Sequence, residues 1–243
     1  MKVIAYTALH YGKDYLASAI RSVIDACDEY WVLYTPEGSH GHRSSIPCPE
    51  TRDELHDIAY AAAGRKLKWA DGHWHYEGEQ RDRINALVPD ADEVWSEGLA
   101  QGVIYAEERA RENGTKRFRL PIVHYWRSFY RCVLHDPAFP ERVIFPQISE
   151  GGVADTITGW GVIHHFGYAQ RPEIVEYKQY VHGHKAEWRR DVDWFRDRFM
   201  ANAQHDCHPV GSDYWNPEPV DPFALGLPAW MKDHAYAQMG VIE

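Results

Sequence analysis

Along the first seventy residues the apolar positions switch between two periods. Lys2 to Thr7 (KVIAYT) is a short apolar run ending in hydroxyl residues, and Asp14 to Ile24 (DYLASAIRSVI) carries apolar residues at helical spacing. Glu29 to Thr35 (EYWVLYT) predicts a second strand and Lys66 to Asp71 (KLKWAD) a third, each set apart by a polar or helical stretch. This β-α-β order argues for a mostly parallel sheet with helices packed on its faces. Ligands of such sheets sit at the carboxyl ends of the strands. Tyr6, Thr7, Tyr34, Thr35 and Asp71 fall at predicted strand ends, so they form the expected lining of a nucleotide site.

Further along, Gly161 to His165 predicts a strand, and the period of two puts His164 and His165 on opposite faces, so only one can point into a site. Asn113-Gly114 marks a helix end with a turn. Between Arg117 and Arg131 four arginines alternate with Tyr125, Trp126, Phe129 and Tyr130. That stretch is either a sheet element with core aromatics and acid-paired arginines, or a patch for an anionic or planar acceptor. Ile174 to Tyr180 and Glu187 to Ala201 show helical spacing, the second with a Trp188, Val192, Phe195, Phe199 stripe that suits core packing. His182 and His184 flank a break at Gly183. After His205 the chain becomes Pro-rich, with aromatics between the prolines, and is expected to wrap the domain, to cover an acceptor site or to make an oligomer contact.

Composition narrows the classes. A chain of 243 residues with 44% hydrophobic content can bury a substantial core in one large α/β domain plus an appendage, placed here at 1–170 and 171–243. No run of about 18 apolar residues occurs, and no charged-then-apolar segment precedes the first strand, so a cytoplasmic protein without a membrane span is expected. Cys27, Cys48, Cys132 and Cys207 are widely spaced, which suggests reduced thiols. A net charge of −10 argues against a nucleic-acid-binding surface.

The candidate chemistry centres on Asp90-Ala91-Asp92-Glu93. Two carboxylates one residue apart at the edge of an α/β sheet suit a hard divalent cation that also holds a diphosphate. With YGKDYLASAIRSV after the first strand, Glu77 to Asp82 (EGEQRD), DADE followed by VWSEGL, and His164 to Ala169 (HHFGYA), the sequence resembles the family-two-like glycosyltransferases of GT-A fold over its first two-thirds. The resemblance implies a Rossmann-like, mostly parallel α/β sheet flanked by helices, with a helical and Pro-rich C-terminal extension. It further implies nucleotide contacts from Tyr6, Thr7, Asp71, Gln80, Arg81 and Asp90. Mn²⁺ or Mg²⁺ would be held by Asp92 with His164 or His165. The donor would be a nucleotide-diphosphate sugar, with a UDP-sugar favoured. The acceptor is open among saccharides, lipids, proteins and modified nucleobases.

One departure from the family leaves two alternatives. Ala86-Leu87-Val88-Pro89 leads almost directly into Asp90 where a buried strand of about five residues is usual. Either Arg83 to Val88 forms that strand, or the acidic cluster is a surface turn with a weakened metal role, as the Pro-Asp dipeptide suits. An inverting transfer needs a carboxylate to take the acceptor proton, for which Glu150 and Asp155 in the Ser149 to Asp155 loop are candidates. His73 and His75 alternate on an extended segment and suit polar loop positions. The rival expectations are a non-catalytic nucleotide-sugar-binding protein and a metal-dependent hydrolase.

Overall fold

The computed structural model describes residues 3–38, 41–73, 86–87, 89–115, 117–134, 136, 139–144, 155–189, 192–211 and 215–243. The EGEQRD stretch and His75 lie outside the described residues, as does the Ser149 to Asp155 loop before its last residue. Strands and helices follow in the order β1 (Ile4–Leu9), α1 (Leu16–Val23), β2 (Glu29–Tyr34), α2 (Arg52–Ala63), β3 (Leu67–Asp71), β4 (Ala86–Leu87), β5 (Glu93–Trp95) and α3 (Leu99–Asn113). Then come β6 (Arg117–Arg119), β7 (Ile122–Trp126), β8 (Arg131–Val133), β9 (Glu141–Ile144), β10 (Asp155–Thr156), β11 (Ile163–Tyr168), α4 (Pro172–Val181) and β12 (Glu218–Pro219).

The predicted β-α-β opening is present. β1, β2 and β3 run parallel, with Tyr6 opposite Trp31 and Val32 opposite Trp69. Helix α1 buries Leu16, Ala19, Ile20 and Val23, the i, i+3, i+4, i+7 face, against this sheet. Helix α2 begins at a capping box in which Thr51 and Glu54 each satisfy the other's backbone N–H. β4 then pairs on the opposite side of β1, with Ala86 beside Ile4. The strand order therefore reverses at β1, and the crevice beyond the carboxyl ends of β1 and β4 is a topological switch point. Antiparallel β9 and the outer strands β6 and β10 complete a seven-stranded sheet.

A second, five-stranded sheet has the order β12-β8-β7-β11-β5. Pro89 to Asp92 is the crossing between the two sheets: the chain leaves the first at Leu87 and enters the second at Glu93. Of the stretch Arg83 to Val88 expected as a strand, the described Ala86–Leu87 is a strand, and the acidic cluster follows as a turn at Ala91 and Asp92 in which Ala91 and Glu93 are buried. Gly12 at the end of β1 has φ 144°, and a Cβ there would stand 2.6 Å from the Ala91 Cβ, so the two switch-point loops touch only because residue 12 is glycine.

The C-terminal chain is built into these layers. Leu227, Met231, Tyr236 and Ile242 share a core with Tyr15 and Phe166, and buried Arg127 gathers the carbonyls of Phe199, Met200 and Ile242. One expectation fails here: Glu187 to Ala201 is not one α-helix. A short 3₁₀ turn ends at Glu187, and Phe195–Met200 is a π-helix. Its stripe is nevertheless core packing, because Trp188 and Phe199 are buried with Trp126, Tyr168 and Trp215, and Val192 and Phe195 pack against them. Among the described residues no helix is long and apolar enough to cross a membrane. The four cysteines carry no disulfide.

Candidate functional site

Asp92 is the centre of the site. Its backbone carbonyl accepts from Phe166 N, which fixes the crossing segment to β11, and its side chain is 15% exposed at the switch point. The carboxylate accepts from Gln170 Nε2 at 3.1 Å and lies 3.6 Å from both His165 Nε2 and Lys178 Nζ. Burial opposes ionisation of Asp92, but the neighbouring cationic groups outweigh it and hold the carboxyl below its usual range. His165 does not supply that charge, because burial lowers its imidazole to about 3 and leaves it neutral. The ammonium of Lys178, which also sits 5.0 Å above the Tyr168 ring, is the persistent partner.

The tautomer of His165 follows from its neighbours. β11 and β7 run parallel with His165 beside His124, and the two Nδ1 atoms are 2.7 Å apart. His124 Nε2 lies 2.9 Å from the Asp136 carboxylate, off the axis of a linear hydrogen bond. A proton on Nε2 is favoured beside that anion, which makes His124 Nδ1 an acceptor and His165 Nδ1–H the donor. The lone pair of His165 Nε2 is thereby aimed at Asp92. A carboxylate oxygen and an imidazole lone pair facing each other at 3.6 Å leave a gap suited to a cation, since two ligands at about 2.1 Å from one ion can span it. Gly167 keeps that gap in shape. A Cβ at this position would stand 2.5 Å from His165 Cε1 and 3.0 Å from Lys178 Nζ.

Asp90 and Glu93 are tied to a different cation. Arg142 on β9 donates to Glu93 through Nε (2.9 Å to Oε2) and Nη2 (2.6 Å to Oε1), and Nη2 also reaches Asp90 at 2.6 Å. Burial pushes the Glu93 carboxyl up to about 7 against the pull of Arg142. This cluster braces the crossing between the sheets. The mouth of the crevice is braced as well. Glu50, with a fully buried side chain, accepts from the backbone N–H of Gly12 and Lys13 and from Arg171, which also pairs with Asp14. These amides at the entry to α1 are thus engaged by a carboxylate of the protein itself.

The other expected residues are dispersed. Tyr6 and Thr7 lie inside β1, which runs two residues further because Ala8 and Leu9 continue its alternation. Tyr6 is buried on the opposite sheet face from α1, packed with Leu33. Thr7 Oγ1 donates to Pro89 O and meets the Tyr30 hydroxyl, a bond that ties β1 to the crossing segment. The strand-end positions are instead held by His10, whose ring bridges Thr35 O and the Tyr177 hydroxyl at 2.8 Å each. Asp71 ends β3 in a bidentate pair with Arg52. His164 turns to the other face of β11, where its ring meets Tyr125 OH at 2.9 Å and Ser96 Oγ at 3.1 Å, so it does not join Asp92. Asp155, on the outermost strand of the large sheet, is paired with Arg109 of α3. Gln80, Arg81 and Glu150 lie outside the described residues.

Lys178, His124, Asp136, Gln170 and Gly167 complete the site without having been singled out in the sequence. Lys178 had a legible signature: it is the one lysine on the buried stripe Ile174, Val175, Tyr177, Lys178, Val181 of α4. Among the described residues no three His, Cys, Asp or Glu side chains converge on one metal position. Asp92 and His165 would therefore supply two ligands and leave the remaining positions to water and phosphate oxygens. No protein-family model and no curated protein matches the chain.

Proposed function

We propose that the switch-point crevice binds a nucleotide-diphosphate sugar and transfers its glycosyl group to an acceptor hydroxyl, with Mn²⁺ or Mg²⁺ held by Asp92 and His165. The observation that carries this reading is the 3.6 Å gap between the Asp92 carboxylate and His165 Nε2 at the carboxyl end of β4, with the His165 Nδ1 engaged by His124. A bound divalent cation would neutralise the departing diphosphate. Lys178 stands beside it to contact the same phosphates, and the mixed sheet with its reversed strand order supports a nucleotide lying across β1.

The transfer breaks the bond between the anomeric carbon and the diphosphate oxygen, whose electron pair leaves with the diphosphate. The acceptor oxygen forms the new bond and gives its proton to a carboxylate. Asp155 is committed to Arg109, so the proposal names no base. One observation favours a second reading. The Lys178 ammonium, 3.6 Å from Asp92, supplies the positive charge that a metal would bring, as in a metal-free binding protein.

Thermal-shift titration with UDP, GDP, dTDP and CDP, each with and without Mn²⁺, tests both readings, followed by nucleoside diphosphate release from the matching sugar donor. Stabilisation by one nucleotide that needs Mn²⁺, is lost in Asp92→Asn and is accompanied by turnover is the expected result. Metal-independent stabilisation without turnover establishes the binding protein, and no stabilisation by any nucleotide overturns both.

A further inference from the structure

A concavity lies at the other end of β5. Asp92 precedes that strand, whereas Ser96 follows it and, with Trp160, Gly161, Phe223, Gly226 and Lys232, lines a cavity of about 360 Å³. The volume falls near the lower end of the ~300–1,000 Å³ range of small-molecule pockets. Three segments build it: the turn entering α3, the loop entering β11 and the C-terminal chain.

Its aromatic wall is held in place from behind. Gly98 and Gly102 lie one turn apart at the start of α3, and a Cβ on either would strike Trp160, at 2.4 Å from its carbonyl oxygen and 3.1 Å from its Cβ. The two glycines form a notch in which Trp160 is seated while the residue remains 36% exposed. Gly161, at φ 118°, and Gly226, at φ 88°, close on Ser96 in the same way. The floor is a fixed hydrogen-bond set in which Ser96 Oγ meets Val162 O, Val162 N and His164 Nε2. Opposite Trp160, Lys232 lies 4.9 Å over the Phe223 ring, and Glu97 completes the rim.

This lining identifies the ligand chemistry. The partly exposed Trp160 favours a ligand with an apolar ring face, while the Phe223 ring is covered by Lys232. One carboxylate and one ammonium give the rim no net charge, so an anion would meet Glu97 and a cation Lys232, while a neutral polyhydroxylated ring finds both an acceptor and a donor. We propose that this cavity is a binding site for a neutral saccharide of one or two rings. Its identity as the acceptor site rests on the transfer reading above, whereas binding does not.

Saturation-transfer-difference NMR with a panel of neutral methyl glycosides and disaccharides tests it on the full chain, the variants Trp160→Ala and Trp160→Phe, and Asp92→Asn. Far-UV circular dichroism and thermal unfolding verify that each variant is folded. We expect at least one saccharide to give a saturable signal that Trp160→Ala lowers at least tenfold, Trp160→Phe partly retains and Asp92→Asn leaves unchanged. No signal from any saccharide, or one that survives Trp160→Ala, overturns the proposal. A signal lost in Asp92→Asn but kept in Trp160→Ala places the sugar at the switch point and overturns it too. Failure of the unmodified chain to bind any nucleotide, with saccharide binding intact, removes the acceptor role and leaves the site.

Discussion

Asp92 Oδ1 and His165 Nε2 face each other at 3.6 Å across the junction of two sheets, and the proton that would bridge them is held elsewhere. His165 Nδ1–H is directed to His124, whose own Nε2 is turned toward Asp136. Asp136→Asn offers an amide N–H donor in place of an anion, which favours the opposite tautomer along the chain and leaves His165 Nε2–H donating to Asp92. Mn²⁺ affinity should then fall about 10- to 100-fold, the usual effect of losing a group that orients a metal-bound histidine. Isothermal titration measures the affinity, and ¹⁵N-correlated NMR of the imidazoles reports the tautomer. A reversed tautomer with unchanged Mn²⁺ affinity would show that the gap is not where the cation binds.

Gly167 carries the steric half of the same arrangement. In Gly167→Ala the new methyl group must displace His165 or Lys178, from which it would stand 2.6 Å (Nε2) and 3.0 Å (Nζ). Overpacking of this kind costs about 1–3 kcal/mol, so the chain should stay folded with a lowered unfolding midpoint. Metal-dependent nucleotide stabilisation should disappear in the same thermal-shift experiment. Retention of the full metal effect would separate His165 from the ligand set.

The parts of the fold legible in the sequence are those where the local pattern and the packing agree. α1 shows its buried face directly as Leu16, Ala19, Ile20 and Val23, and Glu29 to Thr35 appears as β2 almost to the residue. The metal candidates Asp92 and His165 were legible because each lies next to an element boundary or on an alternating strand. β4 lies within Arg83 to Val88, legible only as one of two alternatives, because its pairing with β1 and β9 is non-local and leaves little pattern along the chain. His124 and Asp136 were missed for a different reason. Their relevance exists only through the parallel register that puts His124 beside His165, a non-local pairing that no window along the chain contains. The long helix expected from Glu187 failed because aromatic packing and the Arg127 contacts with the Phe199 and Met200 carbonyls shape that segment more than its spacing does.

Arg142 is the structural counterpart of Lys178. Arg142→Leu would leave Glu93, which is 1% exposed, without its bidentate partner and Asp90 without its contact. Breaking a buried pair by removing one member typically costs about 3–5 kcal/mol. Urea unfolding at pH 7 should show a loss of that size, and the double variant Arg142→Leu with Glu93→Leu should recover part of it. A single-variant loss below about 1 kcal/mol would mean that Glu93 is neutralised by a proton or reached by solvent once Arg142 is gone.

Acid stability is set by opposing groups. Burial lowers His164 and His165 to about 3 from an ordinary 6.5, so between those values the unfolded chain binds more protons. Their contribution is fully present above pH 6.5 and is lost as pH falls toward 3. Glu93, raised to about 7 from 4.5, contributes the other way, being stabilising at low pH and losing that effect as pH rises from 4.5 to 7. His182, lowered by burial to about 3, and His208, lowered to about 4, act in the same direction, so four histidines against one carboxylate predict a clear net loss on acidification from pH 6.5 to 4.5. Below 4.5, where only the histidines still act in this sense, the fall should be steeper. Chemical denaturation at half-unit pH steps measures this, and His164→Phe should flatten the lower segment. A stability that is flat from pH 6.5 to 3 would mean these imidazoles are solvated.

Lys178 decides between transfer and binding alone. Its ammonium is 3.6 Å from the Asp92 carboxylate and donates to Gly167 O at 3.3 Å, so it is both a charge partner and a possible phosphate contact. If it stands in for a metal, Lys178→Gln should abolish nucleotide binding in the presence and absence of Mn²⁺. If it works beside a metal, the variant should lose about 10- to 100-fold in nucleotide affinity, the ~1.5–3 kcal/mol of a hydrogen bond to a charged group. Mn²⁺ should then bind Asp92 more tightly, because the competing cation is gone. Parallel titrations of Mn²⁺ and of the best nucleoside diphosphate against this variant and the unmodified chain separate the cases. Tighter Mn²⁺ with weaker nucleotide is the outcome expected of a transferase, since only then do Lys178 and the metal contact the same phosphates while sharing one carboxylate.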